Sequence, residues 1–321
     1  MNKTTAKLAA LAAITAAALA LSACGGQSAG GGATTNPDGS SSGLSGPVVA
    51  DGSSTVEPLT SAAADLFKEV GPDVNVTVAT SGTGGGFQSF CAGETDISNA
   101  SRAIEDDEIA ACEAEGIEFT EIVAANDGLS VIINPENDWA TDLTVEQLAT
   151  IWGPDSEGEI TNWNQVDPNF PDQPITLFGA GTDSGTFDYF TAAINGEEGA
   201  IRTDYSPSED DNITVQGVAG DVGAIGFLGL SYVEENEGVI VAASVDGVSP
   251  STETVQDGTY TPLSRPLFIY VNNASYTDKA QVKAFVDFYV ENSLDIAELA
   301  LFVPLTDEQV TTAQEELASL G

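Results

Sequence analysis

Three short stretches carry residue types suited to holding an oxyanion. They are Gly52-Ser-Ser-Thr55, Ser81-Gly-Thr-Gly-Gly-Gly86 and Ser184-Gly-Thr186. Each follows a run that reads as a strand and precedes one that reads as a helix. The first N–H groups of a helix lack intrahelical acceptors, the helix dipole is positive there, and glycine admits close backbone approach. Hydroxyls beside them add donors to an anion's oxygens. One such loop is usually only a turn. Three at equivalent places in one chain point to a shared cleft.

Two charged residues lie just beyond the second loop, Asp96 and Arg102. A carboxylate facing an anion repels it unless the anion has a proton to donate. Hydrogen phosphate has one near pH 7 and sulfate does not, so such a carboxylate would reject sulfate by leaving a desolvated charge unpaired. Asp96 is the expected selector, with a surface acid or helix cap as the alternative. Arg102 is expected to balance Asp96 and the ligand, with a surface ion pair as the alternative.

Other glycine chemistries fail on their own terms. No lysine follows any of the loops, as a Walker A site requires. Phe87 stands where the third glycine of a dinucleotide fingerprint belongs, and no G-x-S-x-G elbow is present. The 321 residues contain no histidine, which removes Ser-His-Asp, Cys-His and His-bearing zinc chemistry. Glu209-Asp-Asp211 could hold calcium only loosely, so no metal and no cofactor are expected.

The charge is extreme, with 50 acidic against 8 basic residues and a net of −42. That argues against nucleic acid, which needs clustered cations, and against anionic membrane surfaces. A soluble, self-repelling surface is the plain reading; a high-salt habitat also suits it. Hydrophobic content of 42% is that of a globular chain long enough for two domains.

The elements that must position the loops read as follows. Pro47–Asp51 is a strand, followed by a helix with Leu59, Ala62, Ala63, Leu66 and Val70 on one face. Val74, Val76 and Val78 alternate as a strand, with a helix from Phe87. Ile175–Phe178 is a strand leading to a helix through Phe187, Tyr189, Phe190 and Ile194. Residues 117–133 form a long strand or a strand pair, and 266–271 another strand. Thr144-Val-Glu-Gln147 and Thr306-Asp-Glu-Gln309 are capping boxes. Residues 278–291 are a helix, and 153–174, 203–212 and 246–259 are loops. Alternating strands and helices predict an α/β class with mostly parallel sheet, and in such sheets ligands sit beyond the carboxyl ends of strands.

The N-terminus has Lys3 and Lys7, an Ala/Leu run and Leu21-Ser-Ala-Cys24. Residues 1–23 read as a signal peptide. Leu-Ser-Ala-Cys resembles a bacterial lipobox, so Cys24 is expected to carry a lipid (palmitate). The Gly/Ser-rich stretch to residue 46 is a tether with a reach of about 26 Å. Removing Lys3 and Lys7 would leave 6 basic against 50 acidic side chains, a net of −44. In an exported chain Cys91 and Cys112 are expected to form a disulfide, with two free buried thiols as the alternative.

In combination, Gly52-Ser-Ser-Thr-Val-x-Pro58, Thr80-Ser-Gly-Thr-Gly-Gly-Gly-Phe87, Thr95-Asp-Ile-x-x-Ala-Ser-Arg102 and Gly181-Thr-Asp-Ser-Gly-Thr-Phe-Asp-Tyr-Phe190 resemble the PstS-type phosphate-binding proteins of bacterial phosphate ABC transporters. The resemblance covers nearly all of residues 47–321. It implies a two-lobed periplasmic-binding-protein fold, two Rossmann-like α/β domains joined by two crossing strands near 124–130 and 264–268. Lobe I would be 47–125 plus 266–321, and lobe II 126–265. Carried over, the site is Ser54, Thr55 and the N–H of Val56; Ser81; Asp96 as proton acceptor; and Ser184, Gly185 and Thr186. Many members have Arg-x-Asp-Gly before the third Ser-Gly-Thr, where this chain reads Ala180-Gly-Thr-Asp183. Arg102 is the first replacement for the missing arginine and Arg202 the second. The implied role is binding of inorganic phosphate and delivery to an ABC permease, without catalysis, by a monomer lipid-anchored on the outer face of the bacterial cell membrane. Another oxyanion, sulfate or molybdate, on the same scaffold is the alternative, and a phosphatase-like hydrolase a distant one.

Overall fold

The computed structural model describes residues 43–182 and 184–320. The expected signal peptide, the Cys24 lipidation and most of the tether lie outside the described residues, as does Asp183.

Eleven strands are present among the described residues: β1 (Ser45–Gly52), β2 (Asp73–Ala79), β3 (Ile97–Ala100), β4 (Phe119–Ile133), β5 (Asp142–Leu143), β6 (Thr176–Ala180), β7 (Ser206–Ser208), β8 (Ala224–Gly229), β9 (Val241–Ala242), β10 (Ser244–Val245) and β11 (Ser264–Asn272). Nine form one sheet in the order β2-β1-β3-β11-β4-β8-β6-β7, with β9 beside β4; β10 pairs with β5. β1 begins at Ser45, inside the expected tether.

The sheet is less parallel than the strand–helix alternation predicts. Its ends are parallel, β1 with β2 and β3, and β6 with β8 and β7. Its middle is antiparallel, β11 with β3 and β4, and β4 with β8. The cause is the 15-residue strand β4, read in the sequence as one strand or two. Its first part pairs with β11 through Gly128, and from Leu129 it pairs with β8. The register shifts by one residue opposite Leu267 and Phe268, leaving Ala124 as a bulge.

β4 thereby serves two lobes. One core collects Val48, Leu59, Phe67, Ile97, Ile269 and Phe285. The other collects Ile133, Trp152, Trp163, Phe190, Ile225 and Phe227. In the second, Phe190 and Phe227 stack with centroids 3.9 Å apart, and Trp152 meets both edge-on.

Three helices set the first two loops. They are α1 (Glu57–Phe67), α2 (Thr83–Cys91) and α3 (Asp106–Glu115). The α1 stripe is buried at Leu59, Ala62 and Ala63, but the helix stops before Val70. α2 starts at Thr83, not at Phe87, so its glycines form the first helical turn. Gly86 is needed there: a Cβ on it would stand 2.5 Å from the Cα of Gly52. Cys91 and Cys112 form the expected disulfide, tying α2 to α3. Both capping boxes are present, at Thr144/Gln147 and Thr306/Gln309. The expected 278–291 helix is two, Asn273–Asp278 and Ala280–Glu291, because Lys279 is extended. The stretches read as loops hold the short elements Pro154–Ser156, Trp163–Val166, β7 and Thr252–Gln256.

Candidate functional site

A cleft of about 780 Å³ opens beyond the carboxyl ends of β1 and β3. Ser53, Ser54 and Thr55 line it from the first loop, and Ser81 through Gly85 from the second. The first loop follows directly from β1, whose last residue, Gly52, has a φ of 140° and would meet the Asn99 carbonyl at 2.1 Å if it carried a Cβ. Within the loop Ser53 Oγ accepts the Thr55 N–H at 3.2 Å, which fixes the turn; Ser54 is exposed and Thr55 is buried at the cleft wall. In the second loop Gly82 N donates to the Gly52 carbonyl and Ser81 N to Asp51 Oδ1, both at 3.0 Å. Those bonds fasten the α2 N-terminus to the end of β1.

Arg102 also lines the cleft, just after β3. Ser101 N donates to Thr83 Oγ1 at 3.3 Å, joining this segment to the second loop. The guanidinium is engaged by two carboxylates. It is bidentate on Glu108, at 2.8 and 2.9 Å, and its Nε lies 3.3 Å from Glu105. The Glu108 hydrogen bond raises the Arg102 pKa against the opposing effect of burial, and nearby acids add to the rise. Burial would raise Glu108, but the bonds from Arg102 and from the Glu105 N–H hold it below the usual carboxylate range.

The third loop enters differently. Ser184 caps the helix Gly185–Asn195, accepting the Thr186 N–H at 3.2 Å. Gly185 packs on Thr55: a Cβ there would stand 2.2 Å from Thr55 Oγ1 and 3.0 Å from its Cα. The third loop therefore meets the first, as three loops sharing a cleft require. Ser184, Gly185 and Thr186 do not themselves line the large cleft, however, and Thr186 faces a smaller neighbouring cavity with Asp127 and Tyr232. The helix contributes Asp188 and Tyr189 to the cleft wall instead.

Three expectations are corrected. Asp96 is not in the cleft. It precedes β3, whereas the cleft lies past the strand's other end, so Asp96 and Arg102 are separated by the strand's length. Its carboxylate accepts from Lys279 Nζ at 2.6 Å, Ser275 Oγ at 2.8 Å and Val49 N at 2.9 Å. Arg202 is not in the cleft either. It is 2% exposed and spends its donors on Asp204 and the Ile151 and Ile160 carbonyls. The Val56 N–H is not a free donor, because it bonds the Ser53 carbonyl at 3.2 Å, and the side chain is buried.

Sequence reading missed Arg265, Asp188 and Tyr189. Arg265 lines the cleft from the start of β11. Its Cζ stands 3.7 Å from the Tyr189 ring centroid, its Nε 3.2 Å from Asp127 Oδ2, and its Nη2 3.4 Å from Thr55 Oγ1. Burial raises the Asp127 pKa, and Arg265 opposes the rise. Asp188 is also raised, by burial and then by Glu198, again against Arg265. The one available signal was an arginine inside a segment already expected to cross between lobes.

The sequence of residues 28–293 matches the PBP superfamily domain. The chain belongs to that superfamily. It is 47% identical over 277 residues to the protein SphX of Synechococcus elongatus, covering 85% of this chain and 81% of that one. It is 37% identical over 306 residues to the phosphate-binding protein PstS of Staphylococcus saprophyticus, covering 94% and 91%. Among solved structures, a possible phosphate-binding protein from Planctomyces limnophilus superposes with a TM-score of 0.81 at 43% identity, covering 86% of this chain and 99% of that one. The two-lobed arrangement around β4 and β11 is the periplasmic-binding fold of the superfamily.

Proposed function

We propose that the chain binds inorganic phosphate in the cleft and delivers it to the membrane subunits of a phosphate ABC transporter. The observation that carries the reading is the meeting of the three loops: Thr55 and Ser81 line one cleft, and Gly185 packs against Thr55 at a distance only glycine permits. The names of its relatives support the same ligand. Hydroxyls and helix-start N–H groups hold the oxygens, and no bond is made or broken. With a net charge of −42 the protein repels phosphate at long range, so affinity rests on short, charge-assisted bonds.

On this reading lobe I is 47–125 plus 266–321, lobe II is 126–265, and the lobes close about β4 and β11. Residues 1–23 direct export, Cys24 carries a lipid, and the monomer works on the outer face of the cell membrane. Calorimetry of the phosphate-stripped protein, at two salt concentrations, tests the ligand. Phosphate binding with competition by arsenate is expected. Binding of sulfate in place of phosphate assigns the scaffold to another oxyanion, and no heat with any of the three ends the reading.

A further inference from the structure

We propose that Arg265 is the cation that binds the oxyanion, held for that task by Asp127 and Tyr189. The proposal rests on the phosphate reading above and names the charge that reading lacks.

The described residues contain six basic side chains, Lys68, Arg102, Arg202, Arg265, Lys279 and Lys283. Each pairs with a carboxylate. Only Arg102 and Arg265 line the cleft. Arg102 has all three guanidinium nitrogens on Glu105, Glu108 and the Ala103 carbonyl. To bind an anion it must leave a bidentate partner, and two acids remain beside it. Arg265 commits only Nε to a carboxylate. Its Nη2 contact with Thr55 is long, at 3.4 Å, and Nη1 makes no hydrogen bond among the described residues. Its donors are the ones free to turn to a ligand.

Asp127 lies on β4, Arg265 on β11, Thr55 in the first loop, and Tyr189 on the helix that follows the third loop. From β11 the guanidinium thus reaches β4, the first loop and the helix that follows the third loop. Tyr189 Oη is itself fixed, donating to the Pro262 carbonyl at 2.7 Å. A planar cation on a fixed ring keeps its edge donors available, because the ring occupies only its face. Asp127 and Tyr189 are positioning residues.

The test is calorimetric titration of phosphate into the full mature chain and its Arg265→Gln, Arg265→Lys and Arg102→Gln variants, with thermal melts of each. Arg265→Gln is expected to weaken binding at least 100-fold, Arg265→Lys to recover part of the loss, and Arg102→Gln to cost less than tenfold. Arg265→Gln binding within threefold of the parent overturns the proposal, as does the larger loss falling on Arg102→Gln. If Arg265→Gln is unfolded at the assay temperature, Tyr189→Leu decides. It leaves the Asp127 pair intact, and a loss of about tenfold supports the proposal, whereas unchanged affinity overturns it. A parent protein that binds no phosphate defeats the reading on which the proposal rests. A parent that binds alongside an equally competent Arg265→Gln defeats this proposal alone.

Discussion

Lys279 Nζ lies 2.6 Å from Asp96 Oδ1, at the amino end of β3. The pair fastens β1, through the Val49 N–H, to the turn between the helices Asn273–Asp278 and Ala280–Glu291. Asp96 is therefore a fastener between β1 and that turn. Asp96→Ala is expected to lower stability by about 2–4 kcal/mol, because it strands a backbone donor and a lysine. Lys279 is half exposed, which keeps the loss below that of a fully buried pair. Urea unfolding measures this, and phosphate-over-sulfate preference is expected to be that of the parent. A lost preference with intact stability would return Asp96 to the ligand.

Gly185→Ala places a methyl 2.2 Å from Thr55 Oγ1 and 3.0 Å from Thr55 Cα. The first contact yields to a side-chain rotation and the second is backbone. Phosphate affinity is expected to fall at least tenfold by calorimetry. Adding Thr55→Ala should not restore it, since the backbone clash persists and a hydroxyl of the cleft is gone. Full affinity in Gly185→Ala would show that the third and first loops need not touch.

The Cys91–Cys112 bridge spans 21 positions and ties α2 to α3. In the chain-entropy account a loop of this size contributes about 3 kcal/mol. The Cys91→Ser, Cys112→Ser double variant is expected to lose about that much in denaturant unfolding. The parent should show the same loss on reduction, and the variant no further change.

Asp211 has its pKa raised to about 6, first by burial and then by Asp210 and Glu209. A carboxyl raised in the folded state holds a proton that the unfolded chain releases. Stability is therefore lost as pH rises between about 4 and 6, and the deficit is complete above 6. Asp211→Asn removes that deficit. It is expected to stabilise the protein at pH 7.5 by about 1–2 kcal/mol, a figure reduced for partial solvent screening, and to have little effect at pH 4. Melting curves of both proteins across pH 4 to 8 check the convergence at low pH.

The fold was legible where one local pattern decides one element. The valine alternation of β2, the apolar stripe of α1 and the two capping boxes each carry their own physics within a few residues. The middle of the sheet was not, because strand direction there depends on β4 running on from β11 to β8, and no local pattern encodes orientation. The site divides in the same way. Ser54, Thr55 and Ser81 reach the cleft because a strand end followed by a helix start fixes their place. Asp96 misled because it lies six residues from Arg102, and a four-residue strand sends the two to opposite ends. Arg265 was hidden because its neighbours, Asp127, Tyr189 and Thr55, lie 76 or more positions away in the sequence.

β4 passes from β11 to β8 without a break in its ladder of backbone hydrogen bonds, and its one irregularity is the bulge at Ala124. No slack linker joins the two halves at that point. Any swing of one lobe must twist or bend the ladder itself, so the connection acts as a leaf spring, stiff along the strands and compliant across them. The bulge, where Ala124 has no opposite number, interrupts the pairing with β11 once. In the closure proposed above, part of the ligand's binding energy would go into deforming that spring.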